Sequence, residues 1–284
     1  MHIVLKAGLL AACIGTAWAA QPPLPEAEFK LEPYRKTVAL RGSVRGMPGL
    51  FLFDTGGGIT LVSPDFANKI GCKPWGRLSG HRMMGDRLDA ARCDDVPVAL
   101  QQASGGAQTY RASVTAVVDV TSFLPEGAAP VEGSIALDLF AGKAITIDFP
   151  AQRLIVESPQ SLQARIAGAH ELPVSLSREM QGRALAASLG VPTTKGMAWM
   201  ELDTGNGGTI LVSQPYAGAF GLDAKQEGPQ AADFEVSPQF RAKGTAFTPD
   251  MILDGNLGMP FLKDKVVTLD LGSGRLWIAV SSKP

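Results

Sequence analysis

Two stretches of this chain are near-copies of each other, and they limit its fold more than anything else in the sequence. Phe51-Leu52-Phe53-Asp54-Thr55-Gly56 returns much later as Met200-Glu201-Leu202-Asp203-Thr204-Gly205. Each is a strand-like run closed by Asp-Thr-Gly. Each leads through a Gly- or Asn-rich turn into a second apolar run, Ile59-Thr60-Leu61-Val62-Ser63 and Thr209-Ile210-Leu211-Val212-Ser213. A proline then opens a short helical pattern, at Pro64 and Pro215, which ends at Gly71 and Gly221. A chain that repeats strand, turn, strand and helix in this way is read as two related β units, each presenting one carboxylate at its turn.

The landmarks further along also recur. Val131-Glu132-Gly133-Ser134-Ile135-Ala136 corresponds to Leu253-Asp254-Gly255-Asn256-Leu257-Gly258. A closing hairpin follows each, Ala144–Asp148 with Arg153–Val156 and Val266–Asp270 with Arg275–Ile278, with Asp148 and Asp270 read as turn residues. Two copies are too few for a solenoid, which needs repeated stacking. The reading is 37–157 as a first unit, 158–170 as a linker and 171–281 as a second. Asp223–Ser237 and the irregular, polar Trp75–Asp95 are read as loops.

Upstream, Met1 to Ala20 combines Lys6 with an apolar run and the small-x-small triplet Ala17-Trp18-Ala19, as a secretory signal does. The run is too short to span a bilayer, which needs about 20 apolar residues. Leu10-Ala11-Ala12-Cys13 gives a rival reading, a lipoprotein anchored at Cys13; cleavage near Ala19 or Ala20 is preferred because the apolar segment before Cys13 is so short. The chain is accordingly expected to be exported, periplasmic or secreted. The Pro-rich stretch 21–36 reads as a loose leader. Cys72 and Cys93 either form a disulfide, as export permits, or remain two buried thiols.

With 45% apolar and 19% charged residues, the chain can build a packed core. Its net charge of −1 shows no basic excess for a nucleic-acid partner. No His/Cys cluster has metal-ligand spacing, so no metal and no cofactor are expected. Ser63 and Ser213 lie outside any Gly-x-Ser-x-Gly context and are read as helix caps rather than nucleophiles.

Two carboxyl groups brought face to face cannot both ionise at low cost, so they share a proton. One can then take a proton from a held water while the other gives one to a carbonyl oxygen. Peptide bonds can be hydrolysed this way without a covalent intermediate. In these residues the chain resembles the pepsin/retropepsin-like aspartic proteases, and among them bacterial retropepsin-like proteins that carry both Asp-Thr-Gly units in one chain. The resemblance spans roughly residues 37 to 280.

That resemblance implies an all-β, bilobal acid-protease fold with pseudo-two-fold duplicated β units and short helices. It implies Asp54 and Asp203 as the catalytic pair. Thr55, Gly56, Thr204 and Gly205 would support it, and Gly133 and Gly255 would be the glycines that the aspartate loops thread past. It implies a β-hairpin flap within Arg77–Asp89, with Gly85 near its tip and Met84 and Gly85 as flap residues toward a peptide substrate. The Met83-Met84 pair is read as lining the cleft rather than filling a hydrophobic gap, and His81 as a solvated loop histidine. The partner implied is a peptide or unfolded protein, with no transmembrane segment and a monomeric chain. The family has Ala, Ser or Thr directly after Asp-Thr-Gly, where this chain has Gly57 and Asn206. That departure motivates a second reading, a peptide-binding protein that keeps the fold without turnover.

Overall fold

In the computed structural model of this protein, residues 22–120, 124 and 126–280 are described. The segment read as a signal peptide, with Cys13, lies outside them.

The first unit opens with β1 (Ala27–Lys30) and β2 (Glu32–Tyr34), then the hairpin β3 (Thr37–Val44) and β4 (Met47–Phe53). After the first Asp-Thr-Gly come β5 (Leu61–Val62) and α1 (Pro64–Lys69). A long hairpin follows, β6 (Trp75–His81) and β7 (Arg87–Gln101), and then β8 (Ala107–Val117), β9 (Gly133–Ile135), β10 (Ala144–Asp148) and β11 (Arg153–Val156). Helix α2 (Pro159–Ile166) leads to the second unit: β12 (His170–Leu172), β13 (Val174–Ser177), β14 (Ala186–Thr193), β15 (Gly196–Leu202) and β16 (Ile210–Val212). The chain ends with α3 (Gln214–Ala217), β17 (Gln230–Ser237), β18 (Phe240–Phe247), β19 (Gly255–Leu257), α4 (Met259–Leu262), β20 (Lys265–Asp270) and β21 (Arg275–Val280).

The structure is thus mostly β with a few short helices. Its sheets show the duplication directly. One runs β2-β3-β4-β9-β5-β8-β7-β6, the other β13-β14-β15-β19-β16-β18-β17. Strand for strand the orders match, and β6 is the one addition. The pairing senses match too. β4 runs parallel to β9 as β15 does to β19, and β5 lies antiparallel to β9 as β16 does to β19. A third sheet, β1-β11-β10-β20-β21-β12, takes strands from both units and joins them through the antiparallel pair β10–β20.

Alternation explains most of these strands. In β15 Ala198, Met200 and Leu202 point into the core, and in β17 Ala232, Phe234 and Val236 do so. Phe29, Phe51, Phe53, Phe66 and Phe140 belong to one continuous core, each fully buried. Burial of each such ring contributes roughly 2–3 kcal/mol. Helix α1 starts as its residues dictate: Ser63 Oγ accepts from the Phe66 N–H at 3.2 Å, and Pro64 occupies the first turn.

Four stretches differ from the reading above. The stretch 21–36 is no loose leader, since Ala27, Phe29 and Leu31 alternate inward and β1 pairs with β11. Trp75–Asp95, irregular by its residue pattern, is the β-hairpin that the resemblance alone implies there, Asp223–Ser237 contains β17, and the linker 158–170 carries α2 behind a Ser158/Ser161 capping box. Cys72 and Cys93 are joined, with Cα atoms 6.2 Å apart, which ties the end of α1 to β7. Among the described residues no helix is long and apolar enough to cross a membrane.

Candidate active site

The two Asp-Thr-Gly turns meet at the centre of the molecule because each hangs from a strand locked between two others. The Asp54 N–H donates to Ile135 O at 2.9 Å, and the Asp203 N–H to Leu257 O at 3.1 Å. Each turn is therefore fixed to the strand that carries Gly133 or Gly255. At Gly133 an added Cβ would lie 2.1 Å from Leu61 O, and at Gly255 2.8 Å from Leu211 O. Only glycine lets those strands run so close.

The threonines clamp the turns together. Thr55 Oγ1 donates to Leu202 O at 2.6 Å and accepts from the Thr204 N–H at 3.1 Å. In mirror fashion, Thr204 Oγ1 donates to Phe53 O at 2.5 Å and accepts from the Thr55 N–H at 3.0 Å. Both threonines are buried, so these bonds cannot be exchanged for water. The glycines let the carboxyl groups approach. A Cβ on Gly56 would sit 2.6 Å from Asp203 Cγ, and one on Gly205 would sit 2.8 Å from Asp54 Cγ.

The two aspartates are unequally held. Asp54 Oδ1 accepts from the Gly56 N–H at 3.1 Å. Asp203 Oδ1 accepts from the N–H groups of Gly205 at 2.7 Å and Asn206 at 3.2 Å, and its Oδ2 from Asn256 Nδ2 at 2.8 Å. Burial pushes the Asp54 carboxyl well above the usual carboxylate range, and the Asp203 charge and hydrogen bond push it further. With one donor on Asp54 against three on Asp203, the hydrogen bonds favour the proton on Asp54 when the pair holds one.

A cleft of about 840 Å³ opens over the pair, lined by Asp54, Asp203, Thr37, Ile59, Leu211 and Met83, among others. The β6–β7 hairpin borders it through Gly80, Met83 and Leu88. Its tip holds Gly85 at φ 86°, and the Met83 carbonyl accepts from the Ile252 N–H at 3.0 Å, so the hairpin touches the second unit. Of the Met83-Met84 pair, Met83 lines the cleft, while Met84 is 43% exposed and lies outside its lining. His81 also borders the cleft. The stretch 178–185 crosses from the second unit, with the Leu185 N–H donating to Gly58 O at 2.7 Å. It packs Met180 and Ala184 against Ile59, Leu78, Ala90, Val114 and Ala116, forming an apolar wall beside Asp54.

Three groups at this site were missed in the sequence. Glu201, inside a run read as apolar, is 7% exposed and borders the cleft. Asn256 bonds Asp203. Asp138 accepts from the Thr60 N–H at 2.8 Å and Thr60 Oγ1 at 2.7 Å, and bears on the first turn. The signal for Glu201 lay in aligning the copies, which sets it against Leu52.

Burial holds several carboxyl groups above their ordinary values: Asp54, Glu201, and Asp138, which is raised to about 7 despite its Thr60 donors. A carboxyl group raised on folding stabilises the protein fully below its unfolded value and loses that contribution as pH rises through the folded one. The lowered groups Asp89, Glu171, Asp233 and Asp270 lose their contribution only as pH falls below the ordinary carboxylate range, outside the window in which the raised groups act. Thermal unfolding should therefore give a falling Tm between about pH 5 and about pH 8, and Asp138→Asn should flatten that slope. A Tm that rises over this range in the unmodified protein would contradict the assignment.

No protein-family model matches the sequence, and no curated protein does. Among solved structures, the chain is similar to basic 7S globulin from soybean, with a TM-score of 0.60 at 11% identity, covering 92% of this chain and 96% of that one. It is similar to conglutin gamma, a basic 7S globulin from lupine seeds, with a TM-score of 0.57 at 10% identity over 91% and 96%. It is also similar to edgp, with a TM-score of 0.58 at 10% identity over 92% and 96%. These findings correct the expected kinship: each of these three is a globulin or edgp, and none is a bacterial retropepsin-like protein. What the chain shares with them is a mostly β, aspartic-protease-like fold.

Proposed function

We propose that the two duplicated units form the lobes of a cleft that takes an extended peptide, and that Asp54 and Asp203 hydrolyse it. The observation that supports this most is the dyad itself: two carboxyl groups brought face to face and unequally hydrogen-bonded, lining one cleft with an apolar wall. Strand-like hydrogen bonds to the β6–β7 hairpin would hold the peptide backbone, with an apolar side chain against Met180 and Ile59. A water between the carboxyl groups gives a proton to the Asp203 carboxylate as its oxygen attacks the peptide carbonyl. Asp54 gives its proton to the carbonyl oxygen. The tetrahedral intermediate then collapses as the nitrogen takes a proton from Asp203, breaking the C–N bond, and the proton on the hydroxyl returns to Asp54.

A second reading is peptide binding without turnover. The comparisons favour it over hydrolysis, since two of the structures that share the fold are named as globulins. Gly57 also supports it. An added Cβ there would lie 3.0 Å from Asp54 Oδ2, so the backbone faces that oxygen and offers it no hydroxyl.

The deciding experiment is hydrolysis of an unfolded protein by the purified mature chain across acidic and neutral pH, with and without pepstatin. Pepstatin-sensitive cleavage is the expected result. Peptide binding with no cleavage at any pH would replace the first reading by the second. As for location, an exported chain is our proposal, resting on the sequence of residues 1–20 alone.

A further inference from the structure

The duplicated units differ at one chemically decisive place inside the cleft. Pairing of β4 with β9 sets Leu52 beside Ser134, and the same pairing of β15 with β19 sets Glu201 beside Asn256. Where the first unit has an aliphatic side chain two residues before its aspartate, the second has a buried acid.

Asn256 connects that acid to the dyad. Its Nδ2 donates to Asp203 Oδ2 at 2.8 Å and to Glu201 Oε2 at 3.1 Å, while its Oδ1 accepts from Asn206 Nδ2 at 2.8 Å. Both N–H groups and the carbonyl are thus used. A flipped carboxamide would turn its oxygen toward two carboxyl groups and its donors toward another donor. Asn206 is itself held, by donation to Thr209 O at 3.0 Å and acceptance from the Thr209 N–H at 3.1 Å and Oγ1 at 3.0 Å.

The electrical surroundings of Glu201 are acidic. Asp203 lies beyond it on its own strand, Asp54 faces it from the first turn, and Glu179 from the 178–185 stretch. Its partner on β14 is Ser188, and Lys36 and Arg35 border the same cleft. Among the described residues no ion pair to Glu201 forms. Burial and these like charges hold its carboxyl well above its ordinary range. An ionised Glu201 would add a buried negative charge beside Asp203 with no ion pair to offset it, which favours the neutral acid, its oxygen accepting from Asn256 at 3.1 Å.

We propose that Glu201 is a positioning residue for the dyad, fixing Asp203 through the Asn256 carboxamide. The Asn206–Asn256–Glu201 chain would supply from behind the hydrogen bond that a hydroxyl after Asp-Thr-Gly would otherwise make. This inference rests on the dyad reading proposed above.

The test compares Glu201→Gln, which remains neutral and keeps an accepting oxygen, with Glu201→Leu, which copies the first unit. Two readouts are taken on the full mature chain: kcat and KM for peptide cleavage as a function of pH, and affinity for a statine-containing peptide by calorimetry. Glu201→Leu should lower kcat by roughly tenfold with little change in KM, and weaken statine binding by a similar factor. Glu201→Gln should retain wild-type behaviour within about threefold in both, with an unshifted pH profile. If Glu201→Leu fails to fold, Asn256→Ser, which again copies the first unit, takes its place with the same expected losses. Wild-type values in the Leu variant would overturn the proposal, as would a Gln variant as impaired as the Leu one. If the unmodified chain binds statine but does not cleave, hydrolysis fails as a reading while the affinities still decide the role of Glu201. A chain that does neither would overturn both.

Discussion

Asp54→Asn and Asp203→Asn should each reduce peptide hydrolysis by roughly 10³-fold or more, equivalent to about 4 kcal/mol in the barrier, without unfolding the protein. Asparagine has nearly the volume of aspartate, and its carbonyl oxygen can still accept from Gly56 N–H in one case and from Gly205 N–H in the other. What it cannot do is exchange a proton. With Asn at position 54 the acid that protonates the carbonyl is gone; with Asn at 203 the base that receives the water's proton is gone. The stability side of the prediction separates chemistry from scaffold. Each substitution removes one of two carboxyl groups that repel when both ionise, so in Asp54→Asn Tm should hold or rise, most visibly above neutral pH, where the Asp54 proton is otherwise lost. In Asp203→Asn the new Nδ2 would meet the Asn256 Nδ2 donor, which offsets that gain, so Tm should fall by a few degrees at most. Full activity in either variant would end the dyad assignment. Equal loss of activity and stability would recast the pair as structural.

The central geometry was legible because it is written twice. Thr55 and Thr204 stand 149 positions apart and bond each other's turns, and only the repeat links such distant residues in a sequence. The closing hairpins were legible for the same reason, through Asp148 with Arg153 and Asp270 with Arg275. The β6–β7 hairpin was placed only through the family resemblance and not through its own residue pattern. Its strands stand largely free of the core around the tip, so they carry no period-2 apolar pattern. Polar side chains hold that end instead: Asp89 accepts from Arg77 at 2.6 Å, Ser79 at 2.5 Å and Arg87 at 3.1 Å. In β1 the alternation of Ala27, Phe29 and Leu31 was present, but the prolines just before it suggested a loose segment. Glu201 was hidden by its apolar neighbours Met200 and Leu202, and its meaning depends on Asn256, which no spacing rule connects to it. Met83 and Met84 could not be told apart, because which of two adjacent residues faces a cleft depends on the twist of the hairpin tip.

Gly133→Ala should be among the most damaging single changes to the fold, costing upwards of roughly 4 kcal/mol, and should yield little soluble protein. The added carbon would lie 2.1 Å from Leu61 O and 2.9 Å from Val62 Cα, both backbone atoms of β5, so no side-chain rotation can relieve the clash. β9 is hydrogen-bonded between β4 and β5 and cannot retreat from one without breaking its ladder to the other. The equivalent change in the second unit, Gly255→Ala, should be milder. Its nearest neighbour is Met200 Cε, the end of a flexible side chain, and the backbone contact to Leu211 O is longer at 2.8 Å. Gly218→Ala gives the baseline: it has an ordinary helical backbone at φ −63° and open space around the new carbon, so it should melt like the unmodified chain. Soluble yield and chemical denaturation would rank the three, and a Gly133→Ala variant as stable as Gly218→Ala would refute the packing argument. The ranking also bears on the site, because the Asp54 N–H is bonded to Ile135 at the end of β9. A shift of that strand by even part of an ångström carries the first carboxyl group away from the second, so activity in Gly255→Ala should survive changes that Gly133→Ala cannot.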